Sequence, residues 1–552
     1  MDTKRRSLNL SERLGYYLPI LVFFLTALVS TYVTWYVTGN YVDSDSASEL
    51  VLAKHLADTR QIMSQDWFYS TELRVFQHQW VYAPLMLLLN DWHLVRFLGA
   101  LILQTGYILS FAYMTRQGCF SRETFWYGAA LLLLPVSTAY GRIILYHTYY
   151  ILYITMSFLM YGLVINLYKT WDPRRLSRWL LMGTLMAVSF LSGTNGVRQL
   201  MITHAPMLFS IAVLSLQQDT ENSRSASLLS KPVLRFLAFA LLAAACSFAA
   251  LKFNQLVLHK YFVDDPYYSD NVGLMDFSFM DDMLFGYLHQ FGFRMSVPLM
   301  SLFGILSIGS VVAGGYALYV SARALFQPKS PNHPYFLILS CLCSFTTVMT
   351  ASFLFTSHYL FYFALYFTLA WPWAVIPLVE SLRENPHKFS PLHKKRILAT
   401  AAMMVVLLSG WLNNAWFTRS IDMEQTYEGL SYKNRDTKDQ LSGATAFLQE
   451  NGYKIGYASY WNANVVTEVT DGTVHMIGVT IYTDPEGCIK YYDFLTSLWL
   501  REVPNEKPFL LIDHYEALPE NMVPYCVQVY ADACYSVYDI TDLETFRELL
   551  NS

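Results

Sequence analysis

A series of long apolar stretches separated by short polar ones constrains this chain most. A helix that crosses a bilayer needs about 20 mainly apolar residues. Eleven stretches fit this description, some of them short: 16–38, 94–114, 124–140, 148–168, 179–194, 200–216, 233–251, 296–320, 335–356, 359–379 and 398–416. Only 14% of the 552 residues are charged, against about 25% in soluble domains. The sequence therefore predicts an α-helical polytopic membrane protein, and its net charge of −4 gives no reason to expect nucleic-acid binding.

Lysine and arginine indicate how the predicted helices are oriented, because they concentrate on the cytoplasmic side of membrane proteins. They lie before the first stretch and after the second, fourth, sixth, eighth and tenth, as in "KTWDPRRLSR" and "ENPHKFSPLHKKR". With eleven crossings all these segments lie on one side. We therefore expect a cytoplasmic N-terminus and an extracytoplasmic C-terminal domain, in the plasma membrane. Stretch 16–38 is too long for a signal-peptide core, and no small-residue cleavage site follows it, so we expect a retained anchor.

The C-terminal residues, 417–552, have a different pattern, in which short β-type segments alternate with amphipathic helical ones. This pattern predicts a small α/β domain after a membrane domain of residues 1–416, whose larger outer loops are 39–93 and 252–295. One disulfide is possible in this domain, among Cys488, Cys526 and Cys534, and the sequence does not determine which two would pair. No P-loop and no G-x-S-x-G motif is present, which argues against an ATP-driven pump and a serine hydrolase.

The loop after the first predicted crossing opens with carboxylates, at Asp43, Asp45 and Glu49. One interpretation is structural, because "SASE" from Ser46 to Glu49 has the pattern of a helix capping box. Acids just before a helix also favour the positive end of its dipole. A capping box, however, needs a single acid, and carboxylates at a membrane exit are costly unless they serve a function. We therefore favour a functional role for the acids.

The same loop resembles the first outer loop of a known family. Lys54 follows Asp45 by nine residues, "QDW" stands at 65–67 and "YAPL" at 82–85. Together with the order of crossings and the outer C-terminal domain, these motifs resemble the GT-C superfamily of membrane glycosyltransferases. In that family a basic residue often stands at the offset of Lys54, Asp-Trp ends the loop helix, and Pro-Leu leads into the second crossing. Ala83 stands where the family often has lysine.

The resemblance implies a sugar donor carried on a polyprenyl phosphate and a cell-surface glycan or glycolipid as acceptor. Transfer with inversion needs a general base for the acceptor hydroxyl, and a carboxylate can supply it. Asp45 is the expected base, with Asp43 as the second candidate. The pair could also bind a divalent cation through oxygen ligands. Some family members use a metal and others do not, so the metal requirement stays open, and no other cofactor is predicted.

Departure of the lipid phosphate needs cations on the outer side of the membrane. The candidates there are Arg142, His147, Arg198, Arg294 and His358. Each could instead be an interface cation or a polar contact between helices. Lys54, Glu72 and His78 are further candidates for substrate contacts.

In "YWNANVVTEVTDG", Trp461 could stack on an acceptor sugar, but we favour aromatics packed in a small core. The acidic run "DDPYYSD" at 264–270 is interpreted as a solvated loop.

Two other functions fit a chain of this class. A transporter or flippase for a lipid-linked saccharide should show repeat symmetry or paired acids deep in its spans, and the sequence offers few such acids and no repeat. A non-catalytic assembly subunit could share the same scaffold. A glycosyltransferase is the interpretation that we carry to the structure.

Overall fold

The computed structural model describes residues 10–70, 72–217, 231–263, 273–294, 297–327, 333–355, 369–382, 392–418, 426–427, 430–431, 437–481 and 489–551. Within these ranges a large helical part is followed by a smaller part that is built on a β-sheet. The candidate His358, the acidic run 264–270, Cys488 and the first half of the predicted crossing 359–379 lie outside the described residues.

Helices account for most of the chain up to residue 418. In chain order they are α1 (Leu10–Asn40), α2 (Ser44–Thr59), α3 (Gln79–Met86), α4 (Trp92–Gln117), α5 (Arg122–Leu132), α6 (Thr138–Tyr140), α7 (Ile151–Thr170), α8 (Leu176–Gly193), α9 (Ala205–Gln217), α10 (Lys231–Leu256), α11 (Met280–Gln290), α12 (Leu302–Phe326), α13 (His333–Leu339), α14 (Cys341–Leu354), α15 (Ala370–Glu380) and α16 (Leu392–Phe417). Two π-helical segments, Gly141–Tyr146 and Leu200–His204, precede α7 and α9.

Among the described residues, seven helices are long and apolar enough to cross a membrane, namely α1, α4, α7, α8, α10, α12 and α16. Each overlaps a predicted crossing. The predicted crossings 200–216 and 335–356 correspond to shorter apolar helices, Leu200–Leu216 and Cys341–Leu354. These findings confirm a helical polytopic membrane protein, whereas the total of eleven crossings stays a prediction.

One predicted crossing, 124–140, is not a single helix. α5 ends at Leu132, and Pro135 follows in the turn. Proline has no N–H to donate and disfavours helical backbone at the residue before it. The chain then restarts at α6, where the Ser137 hydroxyl accepts a hydrogen bond from the Tyr140 N–H at 3.1 Å. The prediction failed here because its apolar composition outweighed the proline.

The strands are β1 (Trp67–Phe68), β2 (Thr426–Tyr427), β3 (Leu430–Ser431), β4 (Ile455–Ser459), β5 (His475–Thr480), β6 (Lys490–Tyr491), β7 (Thr496–Ser497), β8 (Phe509–Asp513), β9 (Cys526–Ala531) and β10 (Tyr535–Ile540). Six of them form one sheet in the order β6-β5-β4-β8-β10-β9, in which β4 runs parallel to both β5 and β8. The helices beside this sheet are α17 (Thr437–Glu450), α18 (Tyr460–Val469) and α19 (Leu543–Asn551). The α/β pattern predicted for this part is confirmed, and Cys526 and Cys534 are both free thiols.

The sheet part contacts the loop that follows α1. β1 of that loop pairs antiparallel with β7. A buried arginine of α4 forms a second connection, because the Arg96 Nε donates to Glu468 Oε1 of α18 at 2.6 Å. The Arg96 Nη2 also donates to the Ser46 carbonyl of α2 at 2.7 Å. A charge in a membrane helix lowers stability unless it has such partners. Through these contacts Arg96 connects α2, α4 and α18 at one point.

Candidate functional site

The N-terminus of α2 lies at the centre of the candidate site. Asp43 is the N-cap, and its Oδ1 accepts a hydrogen bond from the Ser46 N–H at 2.8 Å. The predicted capping box from Ser46 to Glu49 is therefore wrong, because the helix begins earlier, at Ser44. The first backbone N–H groups of a helix need an acceptor, and the Asp43 carboxylate provides one. This shift places Asp45 inside the first turn of the helix.

The second oxygen of Asp43 contacts cations. Its Oδ2 accepts from Arg142 Nη2 at 2.8 Å and from Arg142 Nε at 3.0 Å. The His147 Nδ1 lies 3.2 Å from the same oxygen, and its Nε2 lies 2.8 Å from the Tyr41 carbonyl oxygen. Burial by itself would raise the pKa of Asp43. The charges of Arg142 and His147 and the hydrogen bonds outweigh burial, however, and hold this pKa well below its usual range.

Asp45 has a different environment, although it belongs to the same turn. Its Oδ1 accepts a hydrogen bond from the Tyr460 hydroxyl of α18. In the part of the chain that the structure describes, its Oδ2 accepts no hydrogen bond. Burial raises the pKa of Asp45 and the negative charge of Asp43 raises it further, against the Tyr460 hydrogen bond and the charges of Arg142 and Arg74. A carboxylate with a raised pKa and a free oxygen is suited to accept a proton.

The donor set does not fit a metal centre at this pair. Both Asp43 oxygens already accept hydrogen bonds, one of them from a guanidinium group that a cation would have to displace. Within the described ranges, no group of three or more His, Cys, Asp and Glu side chains could hold a metal ion. We therefore derive no step through a divalent cation.

Two further predicted residues, His78 and Glu72, connect the outer loop to segments between the membrane helices. The His78 Nδ1 lies 2.8 Å from Glu49 Oε1, and its Nε2 lies 2.6 Å from the Thr148 carbonyl oxygen. Because a carbonyl only accepts, Nε2 carries a proton. His78 thereby connects α2 to the segment that carries His147.

Glu72 and Arg198 form the second connection, with Arg198 Nε 2.9 Å from Glu72 Oε2. The Arg198 Nη1 also donates to the Tyr150 hydroxyl at 3.2 Å. Gly196, with φ of +93°, lets the two segments approach, since a Cβ atom there would lie 2.7 Å from Glu72 Oε1. The structure thus brings Glu72 and Arg198 together as partners.

Arg294 differs from the other candidates because its charge has no acidic partner in the described part of the chain. The side chain is 4% exposed, and neither Nη1 nor Nη2 has a hydrogen-bond partner there. It lies over the Phe303 ring, 5.2 Å from the centroid. Burial lowers the pKa of Arg294 to about 10, which still leaves the group charged at neutral pH. The neighbouring Gln290 amide is 1% exposed and also lacks partners for both of its polar atoms among the described residues.

Lys54 is not part of this cluster. It forms an exposed ion pair with Asp58, one helical turn along α2. The motif "QDW" also departs from the resemblance, because α2 ends at Thr59 and Trp67 lies in β1. The helix stops early since Arg60 takes a left-handed conformation, with φ of 55°.

Sequence reasoning missed two residues of the site. Arg74 lies 5.1 Å from the Tyr149 ring centroid, and its Nε has no hydrogen-bond partner in the described ranges. Its position in the outer loop could have identified it as an outer cation. Tyr460 could not have been found, because its contact with Asp45 spans two distant parts of the chain. The preference for packed aromatics holds for Tyr460, which is buried, and is wrong for Trp461, which is 70% exposed.

No protein-family model matches the chain, and no curated protein matches it. Among solved structures, ArnT from Cupriavidus metallidurans bound to undecaprenyl phosphate aligns with 95% of this chain and 98% of its own, at 11% identity and a TM-score of 0.54. The apo state of ArnT aligns with 94% and 97%, at 11% identity and a TM-score of 0.50. Archaeoglobus fulgidus AglB, in complex with an inhibitory peptide and a dolichol-phosphate, aligns with 91% and 70%, at 13% identity and a TM-score of 0.47. ArnT and AglB are GT-C glycosyltransferases, and the ArnT alignment shows that this chain has the GT-C fold.

Proposed function

We propose that the chain is a glycosyltransferase that moves a sugar from a polyprenyl-phosphate donor to a cell-surface glycan or glycolipid. The observation that carries the proposal is the contrast between two carboxylates in one helical turn. Asp43 is held by cations and by the helix end, whereas one Asp45 oxygen accepts no hydrogen bond from the residues that the structure describes. The GT-C fold is the second support, and its ArnT example contains undecaprenyl phosphate.

In the proposed reaction, an acceptor hydroxyl oxygen attacks the anomeric carbon of the donor sugar. The bond between that carbon and the phosphate oxygen breaks, and its electron pair leaves with the lipid phosphate. The hydroxyl proton passes to Asp45 Oδ2. Asp43 accepts no proton in this scheme, because its pKa is held low. Its role is to fix the helix start and to hold Arg142.

The leaving phosphate needs positive charge that is not already neutralised. Arg142 and Arg198 each contact a carboxylate, at 2.8 and 2.9 Å respectively. Arg294 contacts none in the described chain, and an unpaired buried charge is costly until an anion arrives. We therefore assign the phosphate to Arg294 first. Arg142, whose side chain is 37% exposed, is the second candidate.

The proposed topology puts Asp45 and the sheet part, the domain proposed at 417–552, on the outer face of the plasma membrane. The contact between Tyr460 and Asp45 supports a common side for the two. Cysteines at the exposed positions Gln61 and Ser442 should react with a membrane-impermeant thiol reagent in intact cells, above the labelling of the parent protein. A cysteine at Arg174, in the exposed turn between α7 and α8, should stay protected. If the reagent labelled only one of positions 61 and 442, the proposed topology would be contradicted.

The function itself is tested by mass spectrometry of lipid that copurifies with the full-length protein. We expect a polyprenyl phosphate that carries a sugar, and we expect envelope glycans to lose that sugar when the gene is removed. In cells that lack the gene, an introduced Asp45→Asn variant should still copurify with the lipid, but the envelope glycans should not regain the sugar. If the lipid copurifies and gene removal changes no glycan, a transporter or flippase is the better account.

A further inference from the structure

The edge of the sheet beside Tyr460 has the topology of a ligand site. β4 and β8 are parallel neighbours at the centre of the sheet. The chain leaves β4 through α18 to reach β5 on one side, and leaves β8 to reach β9 and β10 on the other. Where connections diverge in this way, a crevice opens outside the carboxyl ends of the two strands, and ligands commonly bind there.

Polar side chains from the two strand ends meet in this crevice. The Asn462 Nδ2 donates to Asp513 Oδ2 at 3.1 Å, and the Asp513 N–H donates to Glu516 Oε2 at 3.1 Å. Burial raises the pKa of Glu516 to about 7, against a hydrogen bond with Ser459. At neutral pH this carboxyl group can therefore donate as well as accept, as hydroxyl-bearing ligands require.

Two exposed aromatic residues are neighbours of these groups in the sequence, one after each strand. Trp461 is 70% exposed and Tyr515 is 71% exposed. They follow the ends of β4 and β8, and the contact between Asn462 and Asp513 lies beside them. Exposed aromatic rings close to planar amide and carboxyl groups match the surface of a pyranose, which has an apolar C–H face and a rim of hydroxyl groups.

We propose that this crevice binds the saccharide of the acceptor, with Trp461 and Tyr515 stacking on sugar rings and Asp513 and Glu516 contacting hydroxyl groups. The inference rests on the proposed function. Continuity with the catalytic site favours the acceptor as occupant, because Trp461 directly follows Tyr460, whose hydroxyl donates to Asp45. A glycan that lies across Trp461 can present its terminal hydroxyl to that carboxylate.

The test uses the full-length protein restored to cells that lack the gene. The probe is the envelope glycan of the cell, whose gained sugar is measured by mass spectrometry, and donor lipid is measured on the purified protein. Trp461→Leu with Tyr515→Leu should lower transfer at least tenfold and leave the bound donor unchanged. Trp461→Phe with Tyr515→Phe should restore most of the transfer, since phenylalanine keeps a flat ring. Val527→Ala, at the 54% exposed Val527 on the distant edge strand β9, is the matched control.

Each outcome decides between the two proposals. Wild-type transfer by the leucine pair would overturn the acceptor crevice and leave the proposed function intact. Loss of the donor lipid in the leucine pair would also overturn the acceptor crevice, because it would show that the two rings contribute to donor binding. If the pair fails to fold, Tyr515→Leu alone decides, since so exposed a ring adds little to stability. A wild-type protein with no donor lipid and no effect on glycans would overturn the proposed function itself.

Discussion

Three arginines, Arg96, Arg142 and Arg198, differ from Arg294, which follows α11, in the partners that their charges have. Arg96, Arg142 and Arg198 each contact a carboxylate. Arg294, 4% exposed, is nearly as buried as Arg96, which is 1% exposed, yet in the described chain its terminal nitrogens contact no acceptor. A buried charge without a partner lowers stability, so its retention suggests a partner that arrives with the substrate. The three paired arginines hold parts of the protein together, whereas Arg294 is available to a ligand.

The same contrast separates the two carboxylates. Asp43 is the partner that keeps Arg142 in place, and its pKa is low. Asp45 has no cation within hydrogen-bond distance among the described residues, and its pKa is raised. Opposite shifts in neighbouring groups often distinguish an acid–base residue from its support. The predictions below test this division, beginning with the largest expected effect.

Asp45→Asn should lower transfer about 10²- to 10⁴-fold, the usual scale for loss of a general base. Asparagine keeps the size of the side chain and can still accept the Tyr460 hydrogen bond, so folding should survive. The measurement is the rate of sugar transfer from purified polyprenyl-phosphate donor to the native acceptor. Asp43→Asn is the control, and it should cost less because asparagine still caps the helix. Equal losses in both variants would contradict the assignment of Asp45 as the base and Asp43 as its support.

Arg294→Met should lower transfer about 100-fold, since one group that stabilises transition-state charge is lost. The same change should raise the unfolding temperature of the lipid-free protein, because it removes an unpaired buried charge. Arg142→Met is the matched comparison, and it should lower the unfolding temperature by leaving Asp43 without its main cation. Thermal unfolding of both variants in detergent checks the signs. Destabilisation by Arg294→Met would show that this guanidinium has a structural partner.

The pH dependence of transfer should follow the two neighbours of Asp45 in opposite directions. The base must be ionised, so the rate should fall as pH drops through the pKa of Asp45. Asp43→Asn removes a negative charge that raises this pKa, and should move the acidic limb to lower pH. Tyr460→Phe removes a hydrogen bond that lowers it, and should move the limb to higher pH. Profiles of kcat/KM against pH measure both, and shifts in the same direction would exclude Asp45 as the titrating base.

Sequence reasoning was most successful where a signal is local. Apolar length predicted the long membrane helices, and the alternation of β-type and helical segments predicted the α/β character of the sheet part. The carboxylates at the loop start were found because they stand next to a crossing. The division between Asp43 and Asp45 could not be predicted, since it depends on contacts with Arg142, His147 and Tyr460 that are remote along the chain. The difference between Arg198 and Arg294 is likewise a matter of partners, which composition does not reveal.

Substitution of Lys54 should have the smallest effect on transfer. It tests a substrate contact that was assigned from the family resemblance alone. Family members often have a basic residue at this offset, which made Lys54 a candidate for substrate contact. Here its ammonium group pairs with Asp58 on an exposed face of α2. Exposed pairs of this spacing contribute about 0.3–0.5 kcal/mol.

Lys54→Ala should therefore leave transfer within about twofold of wild type, because it removes only a weak, exposed ion pair outside the site. Asp58→Ala is the matched control, because it breaks the same ion pair and leaves the lysine charge in place. Transfer assays on both variants, at donor concentrations below and above KM, separate binding from turnover. A tenfold loss in Lys54→Ala without a loss in Asp58→Ala would mean that the lysine leaves its partner and contacts substrate during the reaction. The contrast between paired and unpaired cations would then describe only the free protein.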